Sequence, residues 1–194
     1  MTKALKLYQD LLKHFGEPGP WPWFGQEPAH TSEEIIIGAV LVQHTNWRNA
    51  ALAIANLRKA GKSSLLAISR ARAETIKRLI KPAGFYRQKS ERLKSLAEFL
   101  SRGPVKREEL LKVKGIGEET ADTILLYAYN RPTFIIDAYT ERFVRHFQLT
   151  KEKSYQPLKN YFETRLPKNV KLYQSYHALI VQWGKNNHGW SKES

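Results

Sequence analysis

The chain contains no cysteine. Disulfides, thiolate zinc sites, iron–sulfur clusters and cysteine nucleophiles are therefore excluded together. The absence fits a reducing compartment, so a cytoplasmic protein is expected, nucleoid-associated if the source is prokaryotic. Glycine and proline are sparse, 11 and 9 of 194 residues, which excludes collagen-like repeats and low-complexity tracts. Long apolar runs are missing too. The longest, Ile35 to Val42, has eight residues including Gly38, against the roughly 18 of a bilayer-spanning helix, so no membrane is expected as a partner. The opening MTKALKLYQDLLKHFG sets Leu5, Tyr8, Leu12 and Phe15 at helical spacing with acids between them. Lacking an apolar core region and a small-residue cleavage site, it reads as a folded helix and not a signal peptide. Acid itself is in short supply: 32 Lys and Arg face 18 Asp and Glu, a net charge of +14 with a pI near 9.9. A polyanion is the first partner to consider, beside the plainer reading of a protein kept soluble by its charge.

What is present is an ordinary folding composition, 42% apolar and 26% charged. Apolar spacing is helical nearly throughout: Leu93, Leu96, Ala97 and Leu100; Ala121, Ile124, Leu125 and Ala128; Leu172, Tyr176, Leu179, Ile180 and Trp183. Thr31-Ser32-Glu33-Glu34 supplies an N-cap with acids in the first turn, predicting a helix through about Gln43. Thr133 to Ile136 has strand composition, but nothing in the sequence offers it a partner. The expected fold is all-α, with about ten helices of ordinary length. There is no internal repeat, the stretch from Gly189 to Ser194 reads as a loose polar tail, and with no surplus apolar surface a monomer is expected.

Leu110-Leu111-Lys112-Val113-Lys114-Gly115-Ile116-Gly117-Glu118-Glu119-Thr120-Ala121-Asp122 has the form of a helix–hairpin–helix, its first helix ending at Lys114. Gly115 and Gly117 lack a Cβ and permit a tight turn with close backbone approach to a ligand. Ile116 is expected to pin the two helices together. The next helix begins at once, so its free N–H groups and positive dipole end suit a phosphate oxygen. Lys112 and Lys114 add charge beside it, with Arg87 and Lys89 as further candidates. The same glycines also serve as ordinary C-caps in an αα-turn.

Past the hairpin the chain runs Pro132-Thr133-Phe134-Ile135-Ile136-Asp137-Ala138-Tyr139-Thr140-Glu141-Arg142-Phe143. Asp137 stands where an N-cap belongs. The order of hairpin, apolar linker, Asp and helix also resembles the helix–hairpin–helix DNA glycosylases of the endonuclease III superfamily, in which this Asp is catalytic. Two further segments are similar to that superfamily. Gly38-Ala39-Val40-Leu41-Val42-Gln43-His44-Thr45 looks like the turn that plugs the gap left by an extruded base, with Gln43 at the plugging position and His44 beside it. Pro82-Ala83-Gly84-Phe85-Tyr86-Arg87-Gln88-Lys89 resembles its Gly-Phe-Tyr-x-x-Lys turn. The resemblance implies a six-helix lobe over 28–134 carrying the hairpin at about 107–128. It implies a second helical lobe from 1–27 plus 135–194, and an active-site cleft between the two.

Two departures and an aromatic cluster point to a branch of that superfamily. Bifunctional members carry a Schiff-base lysine two residues past the second hairpin glycine; here Glu119 stands there, and a carboxylate cannot form an imine. Where other members place iron–sulfur cysteines, this chain has Trp183-Gly184-Lys185-Asn186-Asn187-His188, and Trp183 with Trp190 is expected to supply packing instead. Gly19-Pro20-Trp21-Pro22-Trp23-Phe24-Gly25, with Trp47 four residues past Gln43, resembles the 3-methyladenine DNA glycosylase branch, as does Lys185. That resemblance implies a base pocket formed by Trp47, Trp21, Trp23 and Lys185, since rings attract a cationic alkylated purine by about 1–2 kcal/mol when desolvated. A Trp-rich loop also simply closes a core, and a lysine on a last helix is often only solvated.

The function implied is hydrolysis of the N-glycosidic bond of an alkylated purine (3-methyladenine or 7-methylguanine, which the sequence does not rank) flipped out of double-stranded DNA. Asp137 would stabilise the oxocarbenium-like sugar and activate water. No cofactor or metal is called for; a monovalent cation at the hairpin carbonyls of the DNA complex is compatible with the turn. His44 and His177 suit phosphate or base contact, or simply turn and packing roles. The alternatives left open are a monofunctional uracil, hypoxanthine or mismatch glycosylase, a non-catalytic DNA-binding module, and a residual lyase using Lys114 or Lys185.

Overall fold

The computed structural model describes residues 1–19, 30–101 and 105–186. Trp21, Trp23, His188 and Trp190 lie outside the described residues. All regular structure among those described is helical, with no strand. The chain divides into two compact units, Pro28–Tyr129, and Met1–Glu27 with Asn130–Ser194.

The discontinuous unit opens with α1 (Lys3–Phe15), but most of its helices come later, after the continuous Pro28–Tyr129 unit. That unit begins with α2 (Ser32–Leu41), whose start follows from a reciprocal capping box: Glu34 N–H donates to Thr31 Oγ1 and Thr31 N–H to the Glu34 carboxylate, both at 3.2 Å. Ile36 to Leu41 are all buried, so α2 is the central helix of the unit and reads apolar on every face. Around it stand α3 (Trp47–Lys59), α4 (Leu65–Arg70), α5 (Ala73–Leu79) and α6 (Tyr86–Leu100), with α4 and α5 packed on α6. Ile54, Leu57, Ile68, Ile76, Leu93 and Leu96 fill the shared core. Buried Glu34 is held as a carboxylate below its usual range by the hydrogen bond from Arg58, 2.8 Å away, against the opposing effect of burial.

The hairpin follows as α7 (Arg107–Leu110) and α8 (Glu118–Thr123), which runs on into a π-helical turn over Ile124–Ala128. The first hairpin helix ends at Leu110, not at the expected Lys114. Lys112 N–H bonds Glu109 O, and Val113 N–H bonds Leu110 O, at 3.1 and 3.0 Å. These i to i−3 bonds tighten the last turn and stop the helix early. Ile116 is 4% exposed and packs into the core, the expected pin. A fork from Arg107 binds Asp122, Nε to Oδ1 at 2.8 Å and Nη2 to Oδ2 at 3.0 Å, and ties α7 to α8. Lys89, expected among the phosphate contacts, is instead 1% exposed and donates to Leu41 O and Ala83 O at 2.8 and 2.7 Å. Its ammonium satisfies carbonyls at the ends of two helical segments, and burial pushes it down to about 8.

In the other unit, α9 (Ala138–His146), α10 (Tyr155–Glu163) and α11 (Val170–Lys185) join α1. Tyr176 O–H donates to Ala4 O at 2.9 Å, fixing α11 to α1. Phe134 stacks on Phe162 at 4.2 Å and meets Tyr173 and Tyr176 edge-on. The linker Thr133–Ile136 is buried and forms no strand; Phe134 N–H is satisfied by the Glu163 carboxylate at 2.8 Å. Its apolar composition reflects burial in the core. Trp183 packs on Phe143, His146 and Phe147 at 5.2, 5.3 and 5.7 Å, the packing expected of it.

Candidate active site

Asp137 is the N-cap of α9. Its backbone is extended (φ −104°, ψ 178°), and Oδ1 accepts Thr140 N–H at 2.7 Å. Oδ2 lies 3.4 Å from Nε2 of His177, in the middle of α11. Burial opposes the charge on Asp137, but His177 and the Thr140 N–H outweigh it and hold the carboxyl below its usual range. With its side chain still 15% exposed, Asp137 is an ionised, oriented carboxylate that a ligand can reach. His177 itself is buried, so it has no exposed face for phosphate or base.

The first turn of α9 also meets the end of α11. The Tyr139 ring lies against Gly184 so closely that a Cβ there has no room, and Arg142 covers the same ring at 4.6 Å. Lys185 follows, exposed at the end of α11, with partial desolvation lowering its ammonium from the ordinary value.

The hairpin turn and the Gln43 turn are joined within their own unit. Gly115 has φ 85°, which only glycine adopts freely, and a Cβ on it would strike the Arg92 side chain. Gly117 is extended (φ −89°, ψ 180°) at the start of α8, so the positive-φ demand falls on Gly115 alone. Lys112, Lys114, Gly115 and Gly117 are exposed together, and Glu119 is exposed on α8. Gln43 donates to Thr120 Oγ1 at 2.8 Å and to Gly115 O at 3.3 Å, while Arg92 donates to Gln43 Oε1 at 2.6 Å. The amide expected to plug the duplex is thus engaged at both ends by the hairpin and α6.

Beside it, His44 has φ 53° and Phe85 φ 44°, both left-handed, with their rings 6.3 Å apart. Phe85 is 62% exposed. In the sequence Phe85 is visible only as part of the Gly-Phe-Tyr turn, since exposure has no local signature. Trp47 opens α3, partly buried against the core, with the His30 ring edge-on at 5.7 Å. Among the described residues no group of three or more His, Asp or Glu is placed to hold a metal ion, and no helix is long and apolar enough to cross a membrane.

Comparison with known proteins converges on one family. Residues 37–168 match the model of the HhH-GPD superfamily base excision DNA repair proteins. A Methanocaldococcus jannaschii protein named for an inferred DNA repair glycosylase activity is 38% identical over 192 residues, 91% of this chain and 84% of that one. Endonuclease III of Thermotoga maritima is 27% identical over 156 residues, 78% and 72% of the two chains. The crystal structure of the H. pylori 3-methyladenine DNA glycosylase bound to 1,N6-ethenoadenine superposes with a TM-score of 0.83 at 26% identity, over 97% of this chain and 100% of that one. The expected all-α glycosylase fold is borne out, and the chain belongs to the HhH-GPD superfamily of base excision DNA repair proteins.

Proposed function

We propose that this protein is a monofunctional DNA glycosylase acting on alkylated purines, 3-methyladenine first. The observation that carries the reading is Asp137: a carboxylate kept ionised, fixed by a helix cap, and still partly exposed. As the C1′–N bond breaks, its electron pair leaves with the base and neutralises the positive charge that alkylation put there. The sugar becomes oxocarbenium-like, and the Asp137 carboxylate stabilises it. Water then bonds to C1′ and gives its proton to Asp137, which passes it to solvent. A cationic leaving group needs no strong acid, so the chemistry asks for one carboxylate and a stacking pocket.

The absence of lyase activity rests on Glu119 at the position of the lyase lysine. Similarity to the H. pylori 3-methyladenine glycosylase supports the substrate class, and Trp47 and Lys185 are each a candidate base contact by the sequence resemblance alone. DNA binding would use the hairpin amides with exposed Lys112 and Lys114, and Gln43, His44 and Phe85 as the wedge in the duplex. The test is release of free bases from chemically methylated duplex DNA, wild type beside Asp137→Asn, with the strands then checked for breaks. Wild type should free methylated purines and leave the backbone whole, and borohydride should trap no adduct. Release of uracil or mismatched thymine alone would replace the substrate class, and a trapped adduct would end the monofunctional reading.

A further inference from the structure

We infer that His177 is a positioning residue for the glycosylase reaction, fixing the orientation of the Asp137 carboxylate from the buried face of α11. The inference rests on the proposed role of Asp137 and goes beyond it, since nothing in the hairpin or the linker points to His177.

Asp137 Oδ1 is committed to the helix cap through Thr140 N–H. The cap fixes that oxygen and leaves the placement of the other to its neighbours. The second oxygen lies 3.4 Å from His177 Nε2, the imidazole that faces it from α11. A carboxylate only accepts, so a bond across this gap needs the proton on Nε2. The imidazole cannot drift, because it is 5% exposed and flanked along its helix by buried Tyr173 and Val181 at i−4 and i+4. An apolar side chain would pack there at lower cost than a buried imidazole, which needs polar partners. The contact also favours the ionised carboxylate against burial, the form the reaction requires.

The test compares single-turnover release of methylated purines from radiolabelled, chemically methylated duplex DNA by wild type, His177→Ala, His177→Gln, Asp137→Asn and the Asp137→Asn/His177→Ala double variant. Thermal transition and DNA affinity are measured on each. Gln can present an amide N–H near the Nε2 position. Expected for His177→Ala is a rate lower by on the order of 10²-fold, the loss typical of a slightly misplaced catalytic group, with affinity unchanged. His177→Gln should recover most of the rate, and the double variant should be no slower than Asp137→Asn alone. Wild-type rate in His177→Ala, equal loss in the Ala and Gln variants, or losses that multiply in the double variant would each overturn the inference. If His177→Ala keeps its rate while Asp137→Asn loses it, this inference alone falls. If wild type releases no base, the reading of Asp137 falls first and takes it along.

Discussion

Asp122 and Asp137 sit at opposite ends of one short stretch of chain and show what separates a structural acid from a working one. Asp122, on α8, is fully buried, and both its oxygens are taken by one guanidinium fork from Arg107. Asp137, on the cap of α9, has one oxygen on a backbone N–H, the other beside an imidazole, and part of its surface open. A saturated carboxylate clamps two helices, whereas a partly open one can meet a developing positive charge. Both are aspartates next to helical segments, so residue type alone does not distinguish them. Acceptor occupancy does.

Removing one partner of the clamp tests the first half most severely. Asp122→Ala takes both fork bonds from the Arg107 guanidinium, which is 20% exposed and also bonds Glu118, and should cost about 1.5–3 kcal/mol in urea unfolding, with base release per folded molecule largely kept. Asp137→Asn should do the reverse. Asparagine also caps a helix, so the unfolding curve should barely move while base release falls by ~10²–10³-fold. If both substitutions hit stability equally, the contrast between the two acids is wrong.

pH sharpens the same contrast. A carboxyl held below its ordinary range stabilises the fold above the unfolded value and loses that contribution as pH falls through the folded one. Asp137 and Glu34 both follow this sign. The rate supported by Asp137 should therefore survive into acid solution and fall only below the usual carboxylate range. Lys89 gives a slope of the same sign at the alkaline end, for the opposite reason: folding disfavours its charged form. Its folded value of about 8 lies below the unfolded lysine value, so the unfolded chain binds the extra proton between them. Stability from this group should rise as pH climbs from about 8 to ~10.4, and Lys89→Met should abolish that slope in urea titrations.

At the turn itself, Gly115→Ala combines a left-handed backbone with a clash against Arg92 and should cost about 1–2 kcal/mol. The smallest expected effect is at the exposed hairpin lysines. Lys112→Gln and Lys114→Gln should each reduce the slope of log affinity against log salt by about 0.9, leaving folding untouched.

Much of the site was legible because its signals are local. The Gly-Ile-Gly turn is a backbone requirement written in adjacent residues, and an aspartate ahead of a helical stripe is a cap by position. The helix end at Leu110 was misplaced because 3₁₀-type bonds change a terminus without changing its apolar period. Lys89 was misread for a related reason: a lysine is exposed by default, and only its packing against Leu41 and Ala83 made it an internal donor.

The sequence by itself determined that no cysteine chemistry exists here, that the fold is helical, that a glycine turn punctuates it, and that Glu119 stands in the lyase position. Those properties are set by composition and by spacing within a helical turn or two. Only the tertiary structure decided that His177 faces Asp137, that Arg92 holds Gln43 against Gly115, and that Arg107 takes both oxygens of Asp122. Each pair joins different elements, and a side chain's partner across a packed interface depends on how the helices fold together, which no local period encodes.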